Sequence, residues 1–176
     1  ILERQLAAGR VALPDEELLA DEYAVLAGWC RTNGFEQYEV SNYSLPGYRS
    51  RHNSRYWDRT PYLGVGAAAH SFDGRHRRWN TSDVALYSSS ETAPYEEETL
   101  TDEDAFNEYL MTALRTVEGV DKRILERMPA AGRSEEWRKA VARFVAAGLL
   151  VDTATHLVPS ASGLLHADGI AAECMV

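Results

Sequence analysis

Residues 15–43 read DEELLADEYAVLAGWCRTNGFEQYEVSNY, and this stretch predicts a helix followed by a strand. Three consecutive acids, Asp15 to Glu17, suit the positive end of a helix dipole. Apolar residues recur behind them at helical spacing, and Gly34 is a typical stop after a helix. Residues 38–43 then alternate between two faces, which predicts a strand. An α/β barrel or an open parallel sheet repeats this order of helix, glycine and strand.

The next part of the chain predicts short elements around a polar loop. Residues 44–61 form that loop, which is rich in aromatic side chains and contains a turn signal, Leu45-Pro46-Gly47. Residues 62–72 are small and apolar, and they predict a second buried strand that runs into a loop. Residues 78–81 predict a third short strand, and residues 83–90 predict a brief helix.

An acidic segment, Glu91 to Glu108, predicts a domain boundary. It contains eight acidic residues, no basic residue and Pro94. We expect the boundary near residues 92–100, which divides the chain into residues 1–91 and 92–176. Beyond it, Thr101 and Asp104 resemble a capping box at the start of a helix that ends at Gly119.

The C-terminal part predicts a winged-helix arrangement of helix, turn, helix, two-stranded wing and helix. Asp121 caps a short helix to about Met128, and Ser134 caps a second helix that ends at Gly148. Residues 149–158 form the hairpin of the wing, and residues 160–173 form the last helix. The fold class predicted for the whole chain is therefore α+β.

Composition excludes several classes of protein. The chain has 176 residues, of which 45% are apolar and 26% are charged, so it can bury a core. A complete (β/α)8 barrel is excluded because it needs roughly 250 residues. The net charge of −9 argues against binding nucleic acid or an anionic membrane by bulk charge, and the sequence holds no apolar run long enough to span a bilayer.

Two cysteines without other ligands are too few for an iron–sulfur cluster. We expect a cytoplasmic protein with reduced thiols. The start at Ile1 suggests the back part of a longer protein.

Positive charge is concentrated in residues 47–80. This window contains seven arginines and two aspartates, a local net charge of +5, so the rest of the chain carries −14. Arginine pairs bidentately with carboxylates, and aromatic faces stack on flat rings. The window could therefore bind a planar anion, such as a porphyrin with its propionates or a nucleotide. Alternatively, its arginines could pair with the acidic residues 91–104.

Two motifs in this window could contact a ligand. Residues 52–57 read HNSRYW, in which His52 could ligate a haem iron and Tyr56 and Trp57 could line the ring. They could equally form backbone hydrogen bonds and cover the edge of the core. Residues 62–71 read YLGVGAAAHS, whose small residues would let a ligand approach the backbone. The second motif lacks the third glycine of a dinucleotide fingerprint, and tight packing against a helix is its alternative.

Together, five strings resemble one family. They are YEVSNY at 38–43, PG at 46–47, RHNSRYW at 51–57, YLGVGAAAHS at 62–71 and WNT at 79–81. The sequence is similar to the C-terminal half of radical SAM proteins related to oxygen-independent coproporphyrinogen III oxidase, and the HNxxYW string favours the HemW-type branch. The closing family pattern is matched only loosely at residues 158–163. The family's CxxxCxxC cluster motif is absent from the sequence.

The resemblance implies a fold and a set of binding residues. Residues 35–81 would be the last strands of an incomplete α/β barrel, followed by a mostly helical domain. The stretch from Gly64 to His70 would lie near the adenosine end of S-adenosylmethionine. The candidates for contacting haem are His52, Asn53, Tyr56 and Trp57, with His52 as the possible iron ligand, and those near S-adenosylmethionine are Gly64, Gly66, Ala69 and His70. The concentration of positive charge, and not the resemblance, adds Arg51 as a cation for a propionate.

Three interpretations of function follow. In the first, the chain is part of a HemW-like haem chaperone that delivers haem to a recipient haem protein. The parent protein would then carry S-adenosylmethionine and a [4Fe–4S] cluster. In the second, the parent is an oxidase that decarboxylates coproporphyrinogen III. In the third, the C-terminal part docks a partner without chemistry of its own. The 176 residues alone are expected to catalyse nothing, and an unpaired sheet edge would favour a homodimer.

Overall fold

The structure, a computed structural model, describes residues 2–128 and 134–176. Its mixture of helices and strands confirms the α+β class. The helices are α1 (Leu2–Ala7), α2 (Glu16–Thr32), α3 (Arg51–Trp57), α4 (Val84–Ser89), α5 (Asp102–Ala113), α6 (Lys122–Arg127), α7 (Glu135–Ala146), α8 (Ala161–Leu165) and α9 (Ala167–Cys174). The strands are β1 (Glu36–Gln37), β2 (Tyr43–Ser44), β3 (His70–Phe72), β4 (His76–Asn80), β5 (Tyr95–Thr99), β6 (Val120–Asp121), β7 (Leu150–Asp152) and β8 (His156–Pro159).

The strands form three small sheets, ordered β1-β2, β3-β4-β5 and β6-β8-β7. Every strand pairing in the described part of the chain is antiparallel. The parallel pairing suggested by the order helix, glycine, strand is therefore absent from residues 2–128 and 134–176. The helix itself is confirmed: α2 is capped by Asp15, and Gly34 follows its end with a φ of 79°.

The prediction of a strand over residues 38–43 is wrong, because this segment forms a turn between β1 and β2. The Tyr38 N–H donates to the Asn42 carbonyl at 3.2 Å and closes the turn. The Val40 N–H donates to the carbonyl of Arg115 at 2.9 Å, and Glu39 forms an antiparallel bridge with Thr116. The backbone groups of this segment therefore pair with a segment far along the chain, which periodicity cannot reveal.

The prediction of one strand running from residue 62 into a loop is wrong, because the chain folds back and its two ends pair with each other. Tyr62 and Phe72 exchange backbone hydrogen bonds of 2.8 and 2.9 Å. Between them, Gly66 and Ala68 have positive φ values of 121° and 59°, so the chain leaves the extended conformation. The third strand and the brief helix exist as β4 and α4.

The acidic segment contains β5, which pairs along its length with β4. In this register Arg77 lies opposite Glu98, and Arg78 lies opposite Glu97. Opposite charges on facing positions stabilise an antiparallel pair. The stretch near the predicted domain boundary is therefore a strand of the second sheet, and the boundary itself stays a prediction.

The C-terminal part packs around one apolar core. The capping box of Thr101 and Asp104 is confirmed, as are the caps by Asp121 and Ser134. After α7, the Leu149 N–H donates to the Phe144 carbonyl at 3.0 Å in a Schellman closure. The fully buried side chains of the core include Phe106, Leu110, Leu114, Val120, Ile170 and Cys174.

Two helix ends in this part differ from the sequence prediction. Helix α5 ends at Ala113 and not at Gly119, because residues 114–119 turn to bring the chain into β6. Gly119 closes that turn with a φ of 71°. The single last helix predicted over residues 160–173 is broken at His166, which separates α8 from α9.

Candidate functional site

The HNSRYW motif lies on α3, inside the stretch that the sequence predicted to be a loop. Ser50 caps this helix, since its Oγ accepts from the Asn53 N–H at 3.2 Å. The Ser54 hydroxyl donates to the Ser50 carbonyl at 2.8 Å and reinforces the first turn. The serine three residues before Asn53 was the available signal for a helix start, and sequence reasoning missed it.

Helix α3 brings His52 and Tyr56 together at the surface. They are four residues apart, so they lie on the same face of the helix. Tyr56 Oη and His52 Nε2 are 3.2 Å apart, within hydrogen-bond distance. Their rings meet edge to face with centroids 5.1 Å apart. Both side chains are exposed, Tyr56 by 43%, so a ligand can reach either polar end.

Two further aromatic rings pack behind Tyr56. The Tyr62 ring lies 5.0 Å from that of Tyr56, and the Phe72 ring lies 6.2 Å from that of Tyr62. We call these four residues, His52, Tyr56, Tyr62 and Phe72, the aromatic ladder. Burial raises the pKa of Tyr62, although the Arg77 guanidinium opposes that shift. The Tyr62 phenol is therefore neutral near pH 7 and serves as packing for Tyr56.

Trp57 and Asn53 lie on a different side of α3 from the ladder. Trp57 is half-buried, and its indole N–H is buried without a hydrogen-bond partner among the described residues. The Arg115 guanidinium lies 5.9 Å from the centre of the Trp57 ring. Trp57 lines a cavity of about 340 Å³ that continues towards α5 and β6. The structure therefore groups His52 with Tyr56 and separates both from Trp57.

Most arginines of residues 47–80 already have partners. Arg75 pairs with Asp102 at 2.7 Å, and Arg77 pairs with Glu98 at 3.0 Å, which confirms the alternative pairing for these two. The other engaged arginines are Arg49 with Glu118, Arg59 with Glu108, and Arg78, which lies 4.4 Å from the centre of the Tyr95 ring.

Arg51 and Arg55 differ from these five arginines. Both are exposed on α3, and neither forms an ion pair within residues 2–128 and 134–176. They are four residues apart, and each directly precedes a residue of the aromatic ladder. The two arginines therefore form one row of side chains on the helix, and His52 and Tyr56 form the neighbouring row. Sequence reasoning selected Arg51 and not Arg55, because the loop prediction hid their shared helical face.

The second motif, at residues 62–71, is built by close approach of the chain to itself. A Cβ on Gly64 would lie 2.0 Å from the His70 carbonyl oxygen, so this glycine is required by packing. The Gly66 N–H donates to the Tyr87 hydroxyl at 3.0 Å, and its carbonyl accepts from the Asn80 amide at 2.9 Å.

An open cavity lies beside this loop. His70 is exposed and stacks on Trp79 with ring centroids 6.0 Å apart. The cavity has a volume of about 430 Å³, and Ala68, His70 and Trp79 are among its lining residues. Ala69 is half-buried next to it, and its carbonyl accepts from the Asn80 N–H at 3.0 Å. Phe72 of the aromatic ladder lies two residues after His70 on the same strand, β3.

Neither a metal cluster site nor a membrane span is found in the described residues. No group of three or more His, Cys, Asp or Glu side chains lies close enough there to hold a metal ion. Cys30 and Cys174 are both buried and free, and burial raises the pKa of the Cys174 thiol to about 11. They do not fit a [4Fe–4S] cluster, which is held by more cysteine thiolates than these two, grouped together. No described helix is both long and apolar enough to cross a bilayer.

Comparison of the sequence with known proteins relates the chain to one protein family. The model of the HemN C-terminal domain matches residues 100–166. The heme chaperone HemW of Mycobacterium tuberculosis is 31% identical over 173 residues, which cover 96% of this chain and 42% of that protein. The chain is HemW-like. The heme chaperone HemW of Lactococcus lactis is 37% identical over 116 residues, or 64% of this chain and 30% of that protein.

A solved structure shares the fold of this HemW-like chain. It is the coproporphyrinogen III oxidase HemN from Escherichia coli, a radical SAM enzyme, with a TM-score of 0.67 and 16% sequence identity. The match covers 93% of the chain and 42% of the enzyme. The HemW-like chain thus spans less than half the length of the curated relatives and of the structure that it matches.

Proposed function

We propose that this HemW-like chain binds haem on the exposed face of α3, as part of a protein that delivers haem to a recipient haem protein. One observation carries the proposal: α3 presents His52 and Tyr56 side by side, with Arg51 and Arg55 in the neighbouring row. The first pair offers ligands for the iron. The second pair offers two cations for the two propionates at one edge of the ring.

The spacing and chemistry of the four side chains suit a porphyrin. Residues four apart on a helix have Cβ atoms roughly 5–6 Å apart, so two guanidinium groups can engage two neighbouring carboxylates. Arginine binds a carboxylate through two parallel N–H groups, which fixes the edge of the ring. His and Tyr are both established protein ligands of haem iron. Asn53 and Trp57 would act indirectly, by holding α3 in place.

The comparisons favour haem delivery over the oxidase interpretation. The relatives from Mycobacterium tuberculosis and Lactococcus lactis, at 31% and 37% identity, carry the name heme chaperone HemW, whereas the oxidase HemN shares only the fold at 16% identity. The exposed pair of His52 and Tyr56 lies in the HNSRYW motif, the string that favoured the HemW-type branch, and supports haem binding there. Oxidase activity of the longer protein would predict protoporphyrinogen formation from coproporphyrinogen III.

Titration with ferric haem, followed by absorbance, tests the proposal. We expect a saturating shift of the Soret band, with binding weakened about tenfold in the double variant Arg51→Gln/Arg55→Gln, because hydrogen bonds to a charged group contribute ~1.5–3 kcal/mol each and exposure reduces this. Arg4→Gln/Arg10→Gln removes two exposed charges elsewhere and is the matched control.

Two outcomes would contradict this proposal. Equal affinity in both double variants would mean that α3 does not hold the propionates. A Soret shift that does not saturate would indicate nonspecific association of haem with apolar surface. Far-UV circular dichroism of each variant separates loss of binding from loss of α3.

In this proposal, S-adenosylmethionine and the [4Fe–4S] cluster are bound away from α3. We assign S-adenosylmethionine, through its adenosine end, to the cavity beside Gly66, Ala69 and His70, and the [4Fe–4S] cluster to a segment outside these 176 residues. We also propose that the first part of the chain completes an α/β barrel in the longer proteins. The fold shared with HemN over 93% of the chain supports this view.

The C-terminal part is proposed to be a winged-helix unit that docks the recipient. The order β6-β8-β7, with α6 and α7 before the β7-β8 hairpin, supports this topology. Two of the three basic side chains of α7 are engaged, since Lys139 pairs with Glu135 and Arg143 with Glu173, so this helix suits a protein partner better than nucleic acid. We also propose a homodimer, which the exposed apolar side chains Val25 and Trp29 of α2 support. A cytoplasmic location is proposed as well, because Cys30 and Cys174 are free thiols and the cytoplasm keeps thiols reduced.

A further inference from the structure

We infer that Tyr56, and not His52, is the side chain that ligates the haem iron, and that His52 accepts the phenol proton. This inference rests on the proposed function and names the ligand within that site. The sequence alone selected His52, because a neutral histidine can ligate a haem iron. The geometry of α3 points to the other member of the pair.

The hydrogen bond between the two side chains decides between them. Tyr56 Oη and His52 Nε2 are 3.2 Å apart. If His52 Nε2 bound iron, its lone pair would be occupied and this hydrogen bond would be lost. If Tyr56 bound iron as a phenolate, its oxygen would bond to the metal and His52 Nε2–H would donate back to that oxygen. Of these two arrangements, the second retains the contact that the structure already contains, and ligation through His52 Nδ1 is the one histidine alternative that would also retain it.

The protons balance in this step. A ferric haem with a bound water loses that water as the Tyr56 O–H bond breaks and the iron–oxygen bond forms. The proton moves to Nε2 of His52, which becomes an imidazolium and remains hydrogen-bonded to the phenolate. The iron keeps its oxidation state, so no oxidant or reductant is needed. Second partners of this kind orient a ligand and strengthen its bond to the metal.

Reach and support also favour Tyr56. A tyrosine side chain is longer than a histidine side chain. A haem that lies flat across the two rows of side chains on α3 needs an iron ligand that extends beyond these rows. The Tyr62 ring, 5.0 Å away, packs against Tyr56 and orients it, while Phe72 backs Tyr62. With 43% of Tyr56 exposed, the ladder fixes the ring and leaves the hydroxyl end accessible beside His52.

Spectroscopy of three variants tests the assignment with ferric haem as the probe. The complex is expected to show a phenolate-to-iron charge-transfer band and high-spin ferric resonance. Tyr56→Phe should remove the band and weaken binding at least about tenfold, while His52→Gln should keep the band and weaken binding about tenfold. Tyr48→Phe is the matched control, because Tyr48 is 79% exposed in the same part of the chain; it should change neither property.

The contrary results separate this assignment from the proposed function. Haem binding with an unchanged spectrum in Tyr56→Phe would overturn the assignment and leave haem binding standing. Loss of the complex spectrum in His52→Gln alone would return the ligand to His52. Absence of saturable haem binding by the unmodified chain would overturn the proposed function and this inference with it. Tyr56→Phe removes one oxygen atom from an exposed position, so its fold is expected to be retained.

Discussion

Replacement of Gly119 by alanine is expected to destabilise the protein by about 3–5 kcal/mol, and replacement of Gly148 by only about 1–2 kcal/mol. Both glycines have a φ of 71°, so both variants share the strain of a left-handed backbone. They differ in the space around the new atom. A Cβ on Gly119 would lie 2.1 Å from the Leu157 carbonyl oxygen and 2.8 Å from Val158 Cα, whereas Gly148 has nothing within 4 Å.

The difference is expected to be large because the obstruction is backbone. Leu157 and Val158 belong to β8, the central strand of the third sheet, and Leu157 is buried in the core. A flexible side chain could move aside, but β8 can retreat only by breaking its pairing with β6 or β7. Urea unfolding of both variants measures the effect. Equal midpoints for Gly119→Ala and Gly148→Ala would show that strain from φ alone sets the cost.

Elements specified by neighbouring residues could be predicted from the sequence. The caps by Thr101, Asp121 and Ser134 each accept a backbone N–H two or three residues ahead, so a short window of sequence contains both partners. The Ser50 cap of α3 is equally local but was missed. The Schellman closure after α7 is equally local. The hairpin of β7 and β8 was likewise confirmed, since its turn lies between two short apolar runs.

Elements specified by distant residues could not be predicted in this way. Residues 38–43 alternate as a strand does, yet Val40 pairs with Arg115, 75 positions later, and the segment turns. The end of α5 is set by the approach of Gly119 to Leu157, another contact between remote parts of the chain. Local propensity is overridden wherever such contacts satisfy the backbone.

The candidate site shows both situations. The sequence placed His52 and Tyr56 in one motif, but the loop prediction hid that α3 sets them on one face with Arg51 and Arg55. Tyr62 is contributed by a different segment, and its contact with Tyr56 follows only from the tertiary structure. The acidic segment was recognised as a partner for arginines, and the structure adds that it pairs as a strand.

Removal of the Glu108 carboxylate is expected to cost about 2–3 kcal/mol of unfolding free energy, because breaking a buried ion pair costs ~3–5 kcal/mol and this one is only partly buried. Glu108 lies on α5 and accepts from Arg59 at 2.8 Å and from Arg77. Its side chain is 19% exposed and that of Arg59 is 14% exposed. One carboxylate therefore balances two guanidinium groups from the arginine-rich residues 47–80 and joins that region to the C-terminal core.

Glu98 provides the matched control, since it pairs with the same Arg77 at 3.0 Å but is 46% exposed. Glu98→Gln is expected to change the unfolding free energy by no more than about 0.5–1 kcal/mol, as exposed ion pairs do. Thermal unfolding of Glu108→Gln and Glu98→Gln, each with and without Arg77→Gln, separates the two couplings. If Glu108 holds the regions together, its coupling with Arg77 should exceed that of Glu98 and persist in high salt, because a partly buried pair is screened less. Equal couplings that both vanish with salt would mean that apolar packing alone joins α5 to the second sheet.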